Sequence, residues 1–234
     1  MGLLLLILRI SVFESSMFKE LKETNVQRGN FLMFFSNWER FSKYMKCILI
    51  GLPTWFVIGV LVSFSDKFAT EFGITDPVDP GKAIMFAYVG ISIGDVLVGL
   101  VSQWLKSRKK ALFIFYGLTI IFMALFFTQQ NGSSTQMYLI CAGLGFATGF
   151  WAIFVTIAAE QFGTNLRATA ATTVPNMVRG ALPLIILLFK WLRENYNFLT
   201  GGIITAIIIM IITLIAAYFT NETFGKDLKY VETH

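Results

Sequence analysis

One apolar segment, residues 83–105, constrains the fold of this chain more than any other. As a helix rising about 1.5 Å per residue, it is long enough to cross the hydrocarbon core of a bilayer. Four cations within residues 106–110 follow it directly, and the positive-inside rule places that end in the cytoplasm. Its single acid, Asp95, lies near the middle, where an ionised carboxylate costs about 3 kcal/mol unless it meets a partner or a polar cavity. We therefore expect Asp95 to serve the passage of a solute or an ion.

Composition identifies an integral membrane protein. Hydrophobic residues make up 56% of the 234 residues and charged residues only 14%, against about 25% charged residues in a soluble domain. The net charge of +5 is explained by cytoplasmic loops, because no basic face with interleaved aromatics is present for nucleic acid. Cys47 and Cys141 lie on separate apolar segments, and the one histidine is His234. We therefore expect no enzyme activity, no metal and no cofactor.

Five further apolar segments bring the number of predicted spans to six. They are residues 47–65, 111–128, 137–159, 171–192 and 198–219. Basic residues concentrate in alternate loops, so both flanking polar regions are predicted to be cytoplasmic, including the tail at residues 221–234. The predicted fold is an all-α membrane protein, a six-transmembrane-helix bundle over residues 47–220. Its expected place is the plasma membrane, of the bacterial inner-membrane type.

The region before the first span divides into two parts. Residues 1–13 are apolar but too short to cross a bilayer, and they lack the basic start and cleavage site of a signal peptide. We interpret them as the end of a helix whose beginning is missing. Residues 14–46 are predicted to form a cytoplasmic loop, in which the aromatics of residues 31–46 recur at helical spacing. That stretch is either a helix lying in the membrane interface or a continuation into the next span.

Two spans carry polar residues at helical spacing, whereas residues 111–128 and 198–219 are apolar all round and are expected to face lipid. The polar face of the 83–105 helix comprises Tyr88, Ser92, Asp95, Gly99 and Ser102. Such a face either lines an aqueous route or permits close helix packing. For Asp95 the alternative to a functional role is a buried hydrogen bond to a neighbouring helix.

The other candidate residues lie on three different spans. Asn176 and Arg179 are one turn apart, and the guanidinium of Arg179 either binds an acid or an anionic solute or reaches the cytoplasmic interface. Trp55, Trp151 and Thr148 are predicted to face a cavity, with simple packing as the alternative. Small residues near Thr148 allow a neighbouring helix to approach closely.

Three stretches together resemble one family. They are GLVSQWLKSRKKAL at 99–112, AEQFGTNLRATAATTVPNMVRG at 159–180 and NETFGKDL at 221–228, and FESSMFKEL at 13–21 repeats the pattern of the last. In order and spacing these stretches resemble the C-terminal half of a major facilitator superfamily transporter, in the branch of sugar porters and organic ion transporters. Gln103, Ser107 and Asn221 depart from the usual acid, glycine and proline of the family's motifs.

The resemblance implies a secondary transporter that moves a small organic solute, a sugar or an organic ion, by alternating access and with protons as a possible driver. Its implied partners are the lipid bilayer, the solute and a missing N-terminal six-helix half. The residues predicted to bind solute or couple ions are Asp95, Arg179, Asn176, Tyr88, Ser92, Trp55, Trp151 and Thr148. A cytoplasmic gate is expected from Glu160 pairing with Arg108 or Arg167. The alternative is a truncated gene product or a membrane interaction module that transports nothing.

Overall fold

The computed structural model describes residues 29–226 and 230–232, which contain α-helices, a short 3-10 helix (Phe31–Phe35) and a π-helix (Val57–Val62) but no β-strand. The α-helices in chain order are α1 (Trp38–Phe56), α2 (Ser65–Glu71), α3 (Pro80–Leu105), α4 (Arg108–Thr128), α5 (Ser134–Thr148), α6 (Trp151–Glu160), α7 (Thr164–Gly180), α8 (Leu182–Asn195) and α9 (Phe198–Tyr218). The prediction of an all-α fold is therefore confirmed.

Six helical segments in this part of the chain are long and apolar enough to cross a membrane. They are Trp38–Val62, Pro80–Leu105, Arg108–Thr128, Ser134–Glu160, Thr164–Asn195 and Phe198–Tyr218. Each contains most of one predicted span, so the protein has the character of a multi-pass membrane protein with a six-helix bundle. The end of the bundle that carries the cations of residues 106–110 is here called the basic end.

The helix of the first span starts at Trp38, nine residues before the start at residue 47 that the sequence predicted. The Asn37 side chain caps α1 by accepting a hydrogen bond from the Glu39 backbone N–H at 2.9 Å, so the helix starts at Trp38. Residues 38–46 thus continue into the span, and no single interfacial helix covers residues 31–46. Phe34 is buried and stacks on Tyr44, with ring centroids 4.5 Å apart, because these aromatics pack on the bundle. The predictions for residues 1–28 lie outside the described residues.

Three of the six spans depart from regular α-helix, the first near its end and the fourth and fifth near their middle. The first changes to the π-helix after Phe56, the fourth breaks between Thr148 and Trp151, and the fifth breaks at Ala181. In the fifth span the cause is Pro183, which has no N–H to donate and whose ring would collide with the carbonyl four residues earlier. Irregular backbone at membrane depth is tolerated where protein buries it or where it lines a cavity.

Helices α3 and α5 pack closely through small residues. The buried face of α3 consists of Ala83, Ala87, Gly90, Gly94, Val98 and Ser102. A Cβ atom added at Gly90 would lie 2.0 Å from the Ala142 carbonyl oxygen, and one added at Gly145 would lie 2.0 Å from the Ala87 carbonyl oxygen. The two backbones are thus in direct contact, which is how helices gain van der Waals energy where no hydrophobic effect drives them together.

Candidate functional site

Polar residues of α3 and α7 are exposed on the surface of the bundle. Tyr88, Ser92, Asn176 and Arg179 are all exposed. Only 22% of the most apolar stretch of each of these two spans is buried, against 39% for α4 and for α9, which lack a polar face. The spans with polar faces are therefore the least covered by the rest of the bundle. We call these four exposed residues together the polar face.

Asp95 binds the start of a broken helix. Its Oδ1 accepts a hydrogen bond from the Ala152 backbone N–H at 2.9 Å, in the first turn of α6, where Phe150 provides no side-chain cap. The first N–H groups of a helix have no partner within the helix, and the helix dipole favours an anion there. The hydrogen bond to a neighbouring helix that the sequence left open is therefore present, and it offsets the cost of a carboxylate at this depth. Whether Asp95 also couples ions stays a prediction.

A continuous row of side chains leads from the start of α6 to Arg179. The Trp151 and Trp55 rings meet edge to face, with centroids 6.2 Å apart. The Arg179 guanidinium lies 5.1 Å from the centroid of the Trp55 ring, and its Nη1 donates to Asn176 Oδ1 at 3.0 Å. The structure thus brings four of the predicted residues together from α1, α6 and α7, with Asp95 bound next to Trp151.

Arg179 lies near the middle of its helical segment. The fifth span runs from Thr164 to Asn195, and Arg179 follows its first residue by fifteen positions and precedes its last by sixteen. At about 1.5 Å per residue the Cα atom lies about 22 Å from the start of the helix. Whether the guanidinium binds a solute or reaches the cytoplasmic interface stays a prediction.

The remaining predicted residues have distinct positions. The Ser92 hydroxyl donates to the Tyr88 carbonyl oxygen at 2.9 Å, and both residues belong to the polar face. Thr148 is fully buried, and its hydroxyl donates to the Leu144 carbonyl oxygen at 2.9 Å within α5. Its own carbonyl oxygen accepts from the Thr54 hydroxyl at 3.3 Å. Thr148 therefore joins the fourth span to the first at the helix break and does not lie on the polar face.

The predicted pairing of Glu160 with Arg108 is present at the basic end. Arg108 Nη2 lies 3.3 Å from Glu160 Oε1, and its Nη1 donates to the Ser102 hydroxyl at 3.0 Å. The guanidinium also lies 5.3 Å from the centroid of the Phe224 ring. Arg167 lies in the first turn of α7. These contacts tie α3, α4 and α6 to the segment after α9, while the role of a gate stays a proposal.

Sequence reasoning missed Glu222, which caps α4 from the segment after α9. Its carboxylate accepts hydrogen bonds from the Ser107 hydroxyl, from the backbone N–H of Arg108 at 3.0 Å and from that of Lys109 at 3.2 Å. Burial raises the pKa of Glu222, but the hydrogen bonds from Ser107 and from the backbone N–H groups of Phe224, Arg108 and Lys109 outweigh it and lower the pKa to about 2. The only signal in the sequence was the motif at 221–228.

We expect Glu222 to make stability depend on acid pH. Because its pKa is lowered from an ordinary 4.5 to about 2 on folding, its stabilisation is complete above about pH 4.5 and is lost as the pH falls towards 2. Glu222→Gln should cost about 1 kcal/mol at pH 7, a helix-cap value chosen because the carboxylate is partly solvated. Melting temperatures of detergent-solubilised protein between pH 2 and 7 measure this. Glu71→Gln, at an exposed acid, is the control, and an equal acid slope in all three proteins would contradict the prediction.

The last described residues bind the starts of α1 and α7. Glu232 Oε2 lies 3.2 Å from Arg40 Nε, and the Tyr230 carbonyl oxygen accepts from the Thr164 backbone N–H at 2.9 Å. The Tyr230 hydroxyl donates to the Gln161 carbonyl oxygen at 2.8 Å. Nothing in the sequence signalled these contacts, since each joins residues far apart in the chain.

Comparison of the chain with known protein families, with curated proteins and with solved structures found no match. The site is therefore interpreted from its own geometry. In residues 29–226 and 230–232, no group of three or more histidine, cysteine or acidic residues is placed to hold a metal ion.

Proposed function

We propose that this chain is the C-terminal half of a secondary transporter of the major facilitator type, which moves a small organic solute across the membrane by alternating access. In this proposal Arg179 and Asn176 bind the solute, Tyr88, Trp55 and Trp151 shape the pocket, and Asp95 is the proton-coupling acid. The Glu160–Arg108 pair, with Arg167 nearby, closes the pathway at the basic end, which is cytoplasmic.

The observation that carries the proposal is the exposed polar face at membrane depth. A guanidinium and an amide in contact with hydrocarbon would each cost several kcal/mol, so Arg179 and Asn176 must meet water or another protein surface. In a transporter built from two six-helix halves, that surface is the aqueous pathway between the halves.

The helix breaks support the same proposal. Helices α6 and α8 both start within the membrane, and the residues beside those starts are Asp95 and Arg179. Discontinuous helices near the midplane, with polar side chains at their ends, are typical of the solute and ion sites of secondary transporters.

A membrane interaction module is the competing function. The same polar face could bind a partner protein through a dry interface, with Arg179 paired to an acid of that partner. The two functions differ in one measurable property, which is whether water reaches the polar face in the membrane.

Three glycines provide matched reporters of water access, because a Cβ atom added at Gly99, Gly117 or Gly180 meets no atom within 4 Å. Gly99 and Gly180 belong to α3 and α7, whereas Gly117 lies in the middle of α4. In cell membranes, we expect Gly99→Cys and Gly180→Cys to react with a charged, water-soluble thiol reagent about tenfold or more faster than Gly117→Cys, since the reactive thiolate forms only in contact with water.

The native cysteines do not interfere, because Cys47 and Cys141 are both buried. If all three variants react equally slowly, the polar face is dry, and the interaction module replaces the transporter. If Gly117→Cys reacts as fast as the other two, α4 does not face lipid, and the assignment of the pathway to the polar face is wrong.

A further inference from the structure

Arg179 carries a positive charge that is held in place by its neighbours and has no acidic partner among the described residues. Asn176 fixes Nη1, and the Asn176 Nδ2 is in turn anchored to the Thr172 carbonyl oxygen at 2.9 Å. The Trp55 ring lies against the guanidinium. No carboxylate of the described residues lies within ion-pair distance of Arg179. Most of its N–H donors are therefore free to bind a ligand, in an orientation that the protein has already set.

Asp95 does not neutralise this charge. It is the one acid in the middle of a span within the described ranges, and its carboxylate is bound to the N-terminus of α6, whose partial positive charge it balances. The start of α6 therefore offsets about half of the Asp95 charge. The described residues offer Arg179 no comparable opposite charge, so its guanidinium favours a ligand with a negative group.

The surroundings of Arg179 indicate what the rest of the ligand is. Trp55 and Trp151 form an aromatic wall next to the guanidinium, and Trp151 is only partly buried. A planar ring gains dispersion and quadrupole energy against such a wall. A guanidinium matches a carboxylate best, because its planar fork can donate two parallel hydrogen bonds.

We propose that the polar face binds a small organic anion, with its carboxylate on Arg179 and a planar ring against Trp151. This inference rests on the proposed function, since it takes the polar face to be the solute site. It also decides between two opposite indications of the solute's charge, since Asp95 suggests a cationic solute and Arg179 an anionic one. The Asp95 carboxylate is bound by the backbone N–H of Ala152, whereas most N–H donors of Arg179 have no partner among the described residues.

The test uses the Gly180→Cys variant, because Gly180 is exposed and directly follows Arg179 in the chain. We expect benzoate at millimolar concentration to slow its reaction with the thiol reagent about threefold or more, since a bound ring and carboxylate would cover the site. Benzamide has the same ring without the charge, and benzylamine has the opposite charge. Neither should slow the reaction.

Arginine substitutions added to the Gly180→Cys variant show which side chain is responsible for the protection by benzoate. Arg179→Gln should remove the protection by benzoate, raising its half-protecting concentration about tenfold or more, because a charge-assisted hydrogen bond is lost. Arg179→Lys keeps the charge without the fork and should show intermediate protection. The matched control is Arg193→Gln, because Arg193 also lies over aromatic rings, 5.9 Å from Phe189 and from Phe198, but at the end of its span. Arg193→Gln should leave the protection of the Gly180→Cys thiol by benzoate unchanged.

The possible failures are distinguishable. If Gly180→Cys reacts quickly but benzoate protects no better than benzamide, the face is aqueous and the anion proposal is wrong. Equal protection in the Arg179→Gln and Arg193→Gln backgrounds also overturns it. If Gly180→Cys does not react at all, the proposed function fails first, and the anion proposal fails with it.

Discussion

Replacing Gly90 with alanine is expected to destabilise the bundle by about 2–3 kcal/mol. The added methyl group would lie 2.0 Å from the Ala142 carbonyl oxygen and 2.7 Å from the Phe146 backbone nitrogen. Both contacts are with backbone, which cannot rotate away as a side chain can, so α3 and α5 must separate along their shared face. The free energy of unfolding in mixed micelles, followed by helical circular dichroism as the denaturing detergent is increased, measures the loss.

The same helix supplies the control. Gly99 lies on α3 too, and a Cβ atom there meets nothing within 4 Å. Gly99→Ala should therefore leave stability unchanged or raise it by up to about 1 kcal/mol, because alanine favours a helix over glycine. Similar losses for the two variants would show that the cost comes from helix propensity and not from the contact between α3 and α5. Gly145→Ala should behave like Gly90→Ala, since its Cβ would meet the Ala87 carbonyl oxygen.

The second large effect is expected at Asp95. Asp95→Leu should cost about 1–3 kcal/mol, because the Ala152 N–H would lose its acceptor in a place with little water. Asp95→Asn keeps an oxygen at the same position and should cost less than about 1 kcal/mol, since asparagine caps helices as well as aspartate does. The same unfolding measurement in mixed micelles compares the two variants.

The ratio of the two losses identifies what Asp95 contributes. A large loss for Asp95→Leu with a small one for Asp95→Asn means that the hydrogen bond to α6 matters more than the charge. Equal large losses would mean that the negative charge itself stabilises the start of α6, and the capping explanation would be insufficient. If neither variant loses stability, the N-terminus of α6 does not depend on Asp95, and our account of the helix break is wrong.

Arg179 and Asp95 both lie in the middle of a span, but their charges are accommodated differently. Asp95 is accommodated because the chain breaks a helix next to it and supplies backbone N–H groups. Arg179 receives one hydrogen bond acceptor and one aromatic ring, which hold its position without balancing its charge. In the function that we propose, Arg179 binds the solute, whereas Asp95 also holds the start of α6.

The sequence by itself determined the class of the fold and the inventory of candidate groups. Six apolar segments can satisfy their backbone hydrogen bonds in a membrane only as helices, so length and hydropathy were sufficient for the six spans. Polar residues on such segments are costly and few, which is why Asp95, Asn176 and Arg179 stood out. The pairing of Glu160 with Arg108 was likewise expected, with Arg167 as the alternative partner.

Only the tertiary structure decided what these groups do to one another. Local patterns do not report contacts between distant residues, so the sequence left a hydrogen bond from Asp95 to a neighbouring helix as one of two alternatives and gave no sign that Glu222 caps α4. The same holds for Thr148, whose position on its helix suggested a cavity and whose neighbours bury it completely. The exposure of the polar face was decided in the same way, because the burial of a helix face depends on which helices pack against it and not on its own residues.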